Sequence, residues 1–434
     1  MIQQFRRFGA GLSDVTERWV PDAWVISMML TAVAILLCIF GAGATVEETV
    51  LAWGDGVWSL LGLAMQFTIA MVAAHACAAS PPIYRFFNWL ASLPNPSKPV
   101  QALVLAGMFS LVMGYLNWAV CLVSCALFTP FILRRNPNVD VRLLICASYL
   151  GIGTVWHGGL SGSAPLILAT PGNPLINPSS GAPIVDRLYP VTETLYNNFN
   201  LVFICILGAV ALATTCLLHP RSGARTLSAE EIEKILPTPP IEDGPPRTPA
   251  EYIDQFRGWV LLAVVLLAYP LGYSIVTKGF GTSWTINAYN ITFLVIALLL
   301  HGRAPSFLRA CRNGVDSAWG IVVQFPFYAG IFGLMQNTDL GEWLGSFFSN
   351  IATTTTYPWV VYVYSGLMNL FVPSAGSKWM IEAPFLIPAG ELLNVSVVTT
   401  TLAYAYGDSV TNLIQPFFAI PMLAATRIRF GDPL

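Results

Sequence analysis

Ionisable and strongly polar side chains are rare in the apolar stretches of this chain, and the few that occur there are the candidates for chemistry. Asp408 lies in AYGDSVTNLIQP (Ala405 to Pro416), with Thr411 and Asn412 beside it. Lys378 lies in VPSAGSKW (Val372 to Trp379), with Ser374, Gly376 and Ser377 just before it and Glu382 one turn on. Asn117 and Trp118 sit in GYLNW (Gly114 to Trp118), and Ser161, Gly162 and Ser163 in GTVWHGGLSGSAPLILATPGNP (Gly153 to Pro174). His75 is embedded in AAHACAAS. An intramembrane carboxylate or imidazole suits a proton or a coupling cation, whereas amides, hydroxyls and an ammonium suit a carboxylate ligand. Each has a plainer reading too. Asn117 is also a helix cap, Lys378 snorkels outward or pairs with Glu382, and His75 bonds a carbonyl. No HExxH, Walker or GxSxG motif occurs, and no Ser–His or Asp–Asp pairing stands out, so neither hydrolysis nor ATP coupling is expected.

The elements that must position these residues follow from composition. Of 434 residues, 55% are hydrophobic and 10% charged, against about 25% charged in an average soluble protein. With mean hydropathy at +0.64, the chain cannot cover a water-facing surface. A soluble enzyme, a nucleic-acid binder and a disordered scaffold are excluded, leaving an all-α polytopic membrane protein. A net charge of −2 implies no nucleic-acid partner. The eight cysteines form no CxxC pair and read as reduced packing residues. The first apolar run is long enough to span and has no small-residue cleavage site, so no signal peptide is expected.

A crossing needs ~20 apolar residues. Eight are expected: Asp22 to Phe40, Val57 to Ala79, Leu143 to Thr170, Asn200 to Leu218, Gly258 to Val276, Ile286 to Leu300, Val315 to Gln336 and Val397 to Ala425. Residues 100–133 and 357–390 are too long for one crossing and are interrupted, at GYLNW and at VPSAGSKW. The first is flanked by Arg85, Lys98, Arg134, Arg135 and Arg142, so both its ends are cytoplasmic; the second is flanked by Asp339, Glu342 and Glu391, so both lie outside. Two re-entrant helical hairpins of opposite orientation are expected. On this topology only Arg187 and Lys278 fall outside, Lys378 lies within a hairpin, and the other basic residues and both termini are cytoplasmic.

The Pro-rich stretch 219–257 reads as a cytoplasmic linker that packs no core. It separates repeats 22–218 (hairpin 100–133, broken span 143–170) and 258–434 (hairpin 357–390, broken span 397–425). Their like order and opposite orientation describe an inverted repeat, a common build of secondary transporters. Residues 1–21 are expected as an interfacial cytoplasmic arm. The Gly- and Ser-rich segments would leave helix unwound inside the membrane, which is tolerated only around a protein-enclosed cavity. There, N–H groups and helix N-termini seat an anion and carbonyls seat a cation.

The chain resembles the short-chain fatty acid transporter family of the ion transporter superfamily from about Phe8 to Ile428. The resemblance is carried by WGDGVW (Trp53 to Trp58), GLSGSAPLILATPGNP (Gly159 to Pro174), QFPFYAGI (Gln324 to Ile331), VPSAG (Val372 to Gly376) and AYGDSVTNLIQPF (Ala405 to Phe417). It implies a carrier of short monocarboxylates such as acetoacetate and butyrate, in a bacterial inner membrane. It also implies an elevator in which hairpins and broken spans move against a dimeric scaffold. His75 matches a His of the family; His157 does not look like a family feature. The chain ends at Leu434 without the further apolar segment usual in the family, and the tip at Ser377 and Lys378 is less Gly-rich than the family's. The expected substrate set is Asn117, Trp118, Ser161, Gly162, Ser163, Ser374, Gly376, Ser377, Lys378 and Asn412, enclosed by Trp118, Trp379 and Phe385. The coupling-ion set is Asn117, Asp408, Thr411 and His75. No cofactor is expected beyond Na⁺ or H⁺ as coupling ion, and the rival substrate classes are dicarboxylates and amino-acid-like anions. The expected partners are the bilayer, the carboxylate and a second copy of the chain.

Overall fold

The computed structural model describes residues 23–175, 183–220, 223–236, 244–369 and 374–414. Among them there is no β-strand. The N-terminal part runs α1 (Ala23–Phe40), α2 (Val46–Gly56), α3 (Leu61–Ala78), α4 (Pro81–Leu90), α5 (Pro99–Leu116), α6 (Trp118–Arg135), α7 (Val141–Thr154), α8 (Ser163–Ala169) and α9 (Asn198–Leu217). There follow α10 (Ala229–Ile235), α11 (Pro249–Asp254), α12 (Arg257–Lys278), α13 (Phe280–Ser283), α14 (Ile286–His301) and α15 (Ala304–Asn337). Last come α16 (Leu340–Asn350), α17 (Tyr357–Asn369), α18 (Ala375–Leu392), α19 (Val397–Thr411) and a 3₁₀ turn (Asn412–Ile414). Six helices among the described residues are long and apolar enough to cross a membrane, and three shorter ones are predominantly apolar. The chain is a multi-pass membrane protein. The expected arm 1–21 and the end of the second broken span, 415–425, lie outside the described residues.

Asn117 ends α5 and starts α6: its carboxamide oxygen accepts from Val120 N at 2.9 Å, capping α6. These two helices cover the segment 100–133 where the first hairpin is expected; each is long and apolar enough to cross a membrane, and both pack on α7. The packing is close because Gly114 and Gly151 face each other, so that a Cβ on either would run into the opposite backbone. In the C-terminal part, α17 leads to α18, and α19 packs against both. Gly407 of α19 lies against the Tyr362 carbonyl of α17, again with no room for a Cβ.

Three features depart from the expected layout. The helices α2 and α4 lie between the expected crossings, where no element is expected. The crossing expected from Val315 starts a further three turns earlier, in the 34-residue α15. The Pro-rich stretch also docks. Ser228 and Glu231 form a capping box that starts α10, and Ile232 is buried on the α5–α7 core. Asp140, the N-cap of α7, accepts from the Arg225 amide at 2.9 Å, while the Val141 amide donates to the Arg225 carbonyl at 2.9 Å. Burial pushes the Asp140 carboxyl up. The Arg142 guanidinium and the Arg225 and Leu143 amides outweigh that and hold it below its ordinary value.

Candidate functional site

The helix between Thr154 and Ser163 is interrupted, and neighbouring elements bind the interruption. The Leu160 amide donates to the Tyr115 carbonyl (2.7 Å), and the Trp118 amide donates to Ser161 Oγ (2.9 Å). The Leu160 carbonyl accepts from Trp284 Nε1 (3.0 Å), and the Gly158 carbonyl from Asn200 Nδ2 (2.8 Å). The tip of the first hairpin is thus locked onto the break. The break is knitted into its surroundings rather than left as a row of open amides, so the side chains around it carry the polar capacity. Asn117 Nδ2 and the Tyr289 hydroxyl are both buried there without a hydrogen-bond partner.

The C-terminal end of α19 meets this interruption. Asn369, at the end of α17, donates through Nδ2 to the Asp408 carbonyl, Thr411 Oγ1 and Asn412 Oδ1 at 2.7–3.0 Å. Asn412 Nδ2 in turn reaches the Ile152 carbonyl of α7 at 3.3 Å. The polar ends of α7, α17 and α19 therefore converge on one buried region.

An ionic cluster lies beside it. Lys378 Nζ is 3.0 Å from Asp408 Oδ1 and donates to the Ser365 carbonyl (2.7 Å) and Ser365 Oγ (2.8 Å). It also stands over the Tyr404 ring, 4.5 Å from the centroid. The other Asp408 oxygen is 3.0 Å from His157 Nδ1, while His157 Nε2 accepts the Ala164 amide at 3.3 Å. Because Nε2 receives a proton donor, the proton of the neutral ring sits on Nδ1 and points at Asp408. The imidazole stacks on Trp156, with centroids 4.3 Å apart. Glu382 lies against Lys378 and Tyr364, 1% exposed, and neither carboxyl oxygen makes a hydrogen bond. Lys378 is the only Lys or Arg buried among the described residues. Lys378 and Glu382 also edge an otherwise apolar cavity of about 790 Å³, whose walls include Leu30, Phe348, Tyr364 and Phe385.

The expected site residues are thus distributed as follows. Asn117, Trp118, Ser161, Gly162 and Ser163 gather at the first tip and break, where Gly162 is the N-cap of α8. Asp408, Thr411 and Asn412 gather at the C-terminal end of α19, and Lys378 joins them through Asp408. Lys378 pairs with Asp408 rather than with Glu382. Ser374 precedes α18 without capping it through its side chain, and Ser377 Oγ donates back to the Ser374 carbonyl at 3.4 Å. Gly376 is pressed against Phe67 of α3, and Trp379 packs on Tyr404 with centroids 4.6 Å apart. The expected enclosure is divided: Phe385 faces the apolar cavity with Tyr364 and Phe348, while Trp118 stands edge-on to Trp156. His75, on α3, packs beside Gly314 of α15 and makes no contact with the ionic cluster. His157 was passed over in the sequence, where a lone His beside glycines gives no spacing signal. Among the described residues no group of three or more His, Cys, Asp or Glu has metal-holding geometry.

Residues 4–433 match the short-chain fatty acid transporter family. An Escherichia coli K12 protein described as "Putative short-chain fatty acid transporter" is 35% identical over 440 residues, covering 100% of this chain and 95% of that one. A Haemophilus influenzae protein of the same description is 34% identical over 439 residues, with the same coverage. Among solved structures, the YdaH transporter of Alcanivorax borkumensis is similar in fold (TM-score 0.55, 14% identity, 95% of this chain and 98% of that one). Matched from end to end at these identities, the chain belongs to the short-chain fatty acid transporter family, a family of membrane transporters and not of enzymes.

Proposed function

We propose that this protein is a secondary transporter that carries short-chain monocarboxylates, such as butyrate or acetoacetate, across the bacterial inner membrane by alternating access. In this reading both termini are cytoplasmic, the two halves are inverted repeats, and a cation moves with the substrate. The hairpins and broken helices move as an elevator against a scaffold that pairs with a second copy. The interruption between α7 and α8 and the polar end of α19 support that arrangement, because they concentrate buried polar groups on elements that lie side by side.

The observation that carries the substrate class is the charge balance of the buried cluster. Its one ammonium is already matched by Asp408. A single carboxylate matches the single buried ammonium among the described residues, that of Lys378. The second carboxylate of a dicarboxylate would be desolvated with no cation to meet it, at a cost of several kcal/mol. The apolar cavity beside Lys378 offers room for the tail. Burying two more CH₂ groups than acetate offers, at ~0.8 kcal/mol each, favours butyrate over acetate by about tenfold.

The test is inhibition of labelled butyrate counterflow in proteoliposomes by acetate, butyrate, acetoacetate and succinate at fixed pH, against protein-free liposomes. Butyrate and acetoacetate should compete strongly, acetate weakly and succinate least. Inhibition by succinate equal to that by butyrate would replace the monocarboxylate reading with the dicarboxylate one.

A further inference from the structure

The Lys378 ammonium donates two hydrogen bonds, to the Ser365 carbonyl and to Ser365 Oγ, and the Asp408 carboxylate sits 3.0 Å away as its counter-ion. A substrate carboxylate cannot reach this cation without displacing one of them. The Ser365 carbonyl belongs to the backbone of α17, and Ser365 Oγ is tied to the Tyr404 carbonyl of α19 at 2.9 Å. Asp408 is the partner that can be dismissed, because protonation removes the charge that holds it.

We infer that transport is coupled to protons by an exchange of partners at Lys378, in which Asp408 takes a proton as the substrate carboxylate takes its place. This rests on the monocarboxylate reading above and names the coupling group within it. The exchange balances. A proton from the loading side forms an O–H bond on Asp408 Oδ1, and the ion pair to Lys378 ends. The freed N–H of Lys378 donates to the substrate carboxylate. On the far side the substrate leaves, Asp408 returns its proton to water, and the pair re-forms. One proton and one monocarboxylate cross together, and no net charge moves.

The groups facing Asp408 fit these roles. From α18 come Lys378 and, beyond it, Glu382; from the α7–α8 break, His157; from α19 itself, Tyr404; from α17, Asn369, with Ser365 on Lys378 and Tyr364 beside Glu382. Among the described residues no second buried ammonium or guanidinium stands by to neutralise an incoming anion. With Glu382 already a buried carboxyl without a hydrogen bond, adding substrate without a proton would leave more acid groups than the one cation can match. His157 is a positioning residue. Its Nε2 is occupied by the Ala164 amide, so it holds Asp408 through Nδ1–H instead of relaying a proton.

The experiment uses the full chain in proteoliposomes with labelled acetoacetate, whose polar keto acid form leaks less than butyric acid. Wild type should show counterflow at equal pH and at least tenfold accumulation under an inward proton gradient without Na⁺. That accumulation should be unaffected by a K⁺–valinomycin potential. Asp408→Asn, a stand-in for the protonated state, should keep counterflow at a rate that no longer varies with pH, and lose accumulation. Lys378→Met should lose both. His157→Gln should keep both and shift the pH midpoint of accumulation, which a purely structural role would leave in place. Accumulation by Asp408→Asn under the proton gradient would overturn the inference, as would wild-type accumulation that follows Na⁺ or the membrane potential. Those results leave wild-type counterflow intact, whereas absent counterflow of acetoacetate and butyrate in the wild type overturns the substrate reading itself. If Asp408→Asn fails to fold, the wild-type Na⁺ and potential arms still decide.

Discussion

Lys378 and Asp408 offer a direct test of whether this buried pair is matched in charge as their 3.0 Å separation implies. At that distance two unit charges attract by about 5–6 kcal/mol at an effective dielectric near 20. Desolvation offsets much of this, so the pair adds little net stability over a neutral replacement, but breaking one side strands the other. Lys378→Met leaves Asp408 with only the His157 contact and Ser365 without its donor. Asp408→Asn keeps an acceptor for His157 Nδ1–H and leaves Lys378 with Ser365 alone. Each single variant should therefore cost about 3–5 kcal/mol. The double variant, with neither charge, should cost less than either single, giving a coupling energy of about 3 kcal/mol or more. The assay is unfolding by SDS titration of the purified protein in mixed micelles, followed by tryptophan fluorescence. If the two single costs add to within about 0.5 kcal/mol in the double variant, the residues are not coupled and the ionic cluster is not as described.

Three further outcomes are expected. Gly151→Ala drives a methyl group into the Ser110 carbonyl and should cost about 1–3 kcal/mol, whereas Gly54→Ala, with open space around it, should be neutral or stabilising; monodispersity after heating in detergent compares them. Asp140→Asn should release the docked stretch and speed tryptic cutting at Arg225 and Lys234. Because the Asp140 carboxyl lies below its ordinary value, the stabilisation of this docking is complete at neutral pH and is lost only as pH falls below about 4. In a cysteine-replaced background, Asn198→Cys and Asn350→Cys, both exposed, should label from outside, and Asn138→Cys and Thr226→Cys only after permeabilisation. Labelling of Asn138→Cys from outside would invert the proposed orientation.

How much of this was legible in the sequence depended on how local each signal is. The turn at Asn117 announced itself, because an amide between two apolar runs is a cap. The break at Gly158 to Gly162 was equally local: glycines and serines disfavour helix wherever they sit. Docking of the linker was also written locally, in the Ser228–Glu231 capping box and the apolar Ile232, but a Pro-rich composition masked a short helix that draws its stability from tertiary contact. The cluster itself was not local. Asp408 and His157 are 251 residues apart, and neither carries a spacing that points to the other. From Lys378 alone, pairing with the nearer Glu382 at one helical turn was as reasonable as any choice.

The fold decides against that nearer pairing for a reason the sequence does not print. Lys378 and Glu382 share α18, and both reach the apolar cavity. The ammonium, however, is drawn across to α17 and α19, where a carbonyl and a hydroxyl accept its hydrogen bonds and a carboxylate 3.0 Å away matches its charge. A partner one turn along its own helix supplies a counter-charge alone; partners from two other helices supply a counter-charge and two hydrogen bonds. In a medium without water, that fuller set outweighs sequence proximity. The same geometry leaves Glu382 buried without a hydrogen bond at the edge of the cavity, beside the cation but not bonded to it. The arrangement that stabilises Lys378 therefore also keeps a carboxyl group next to the route by which a substrate anion would arrive.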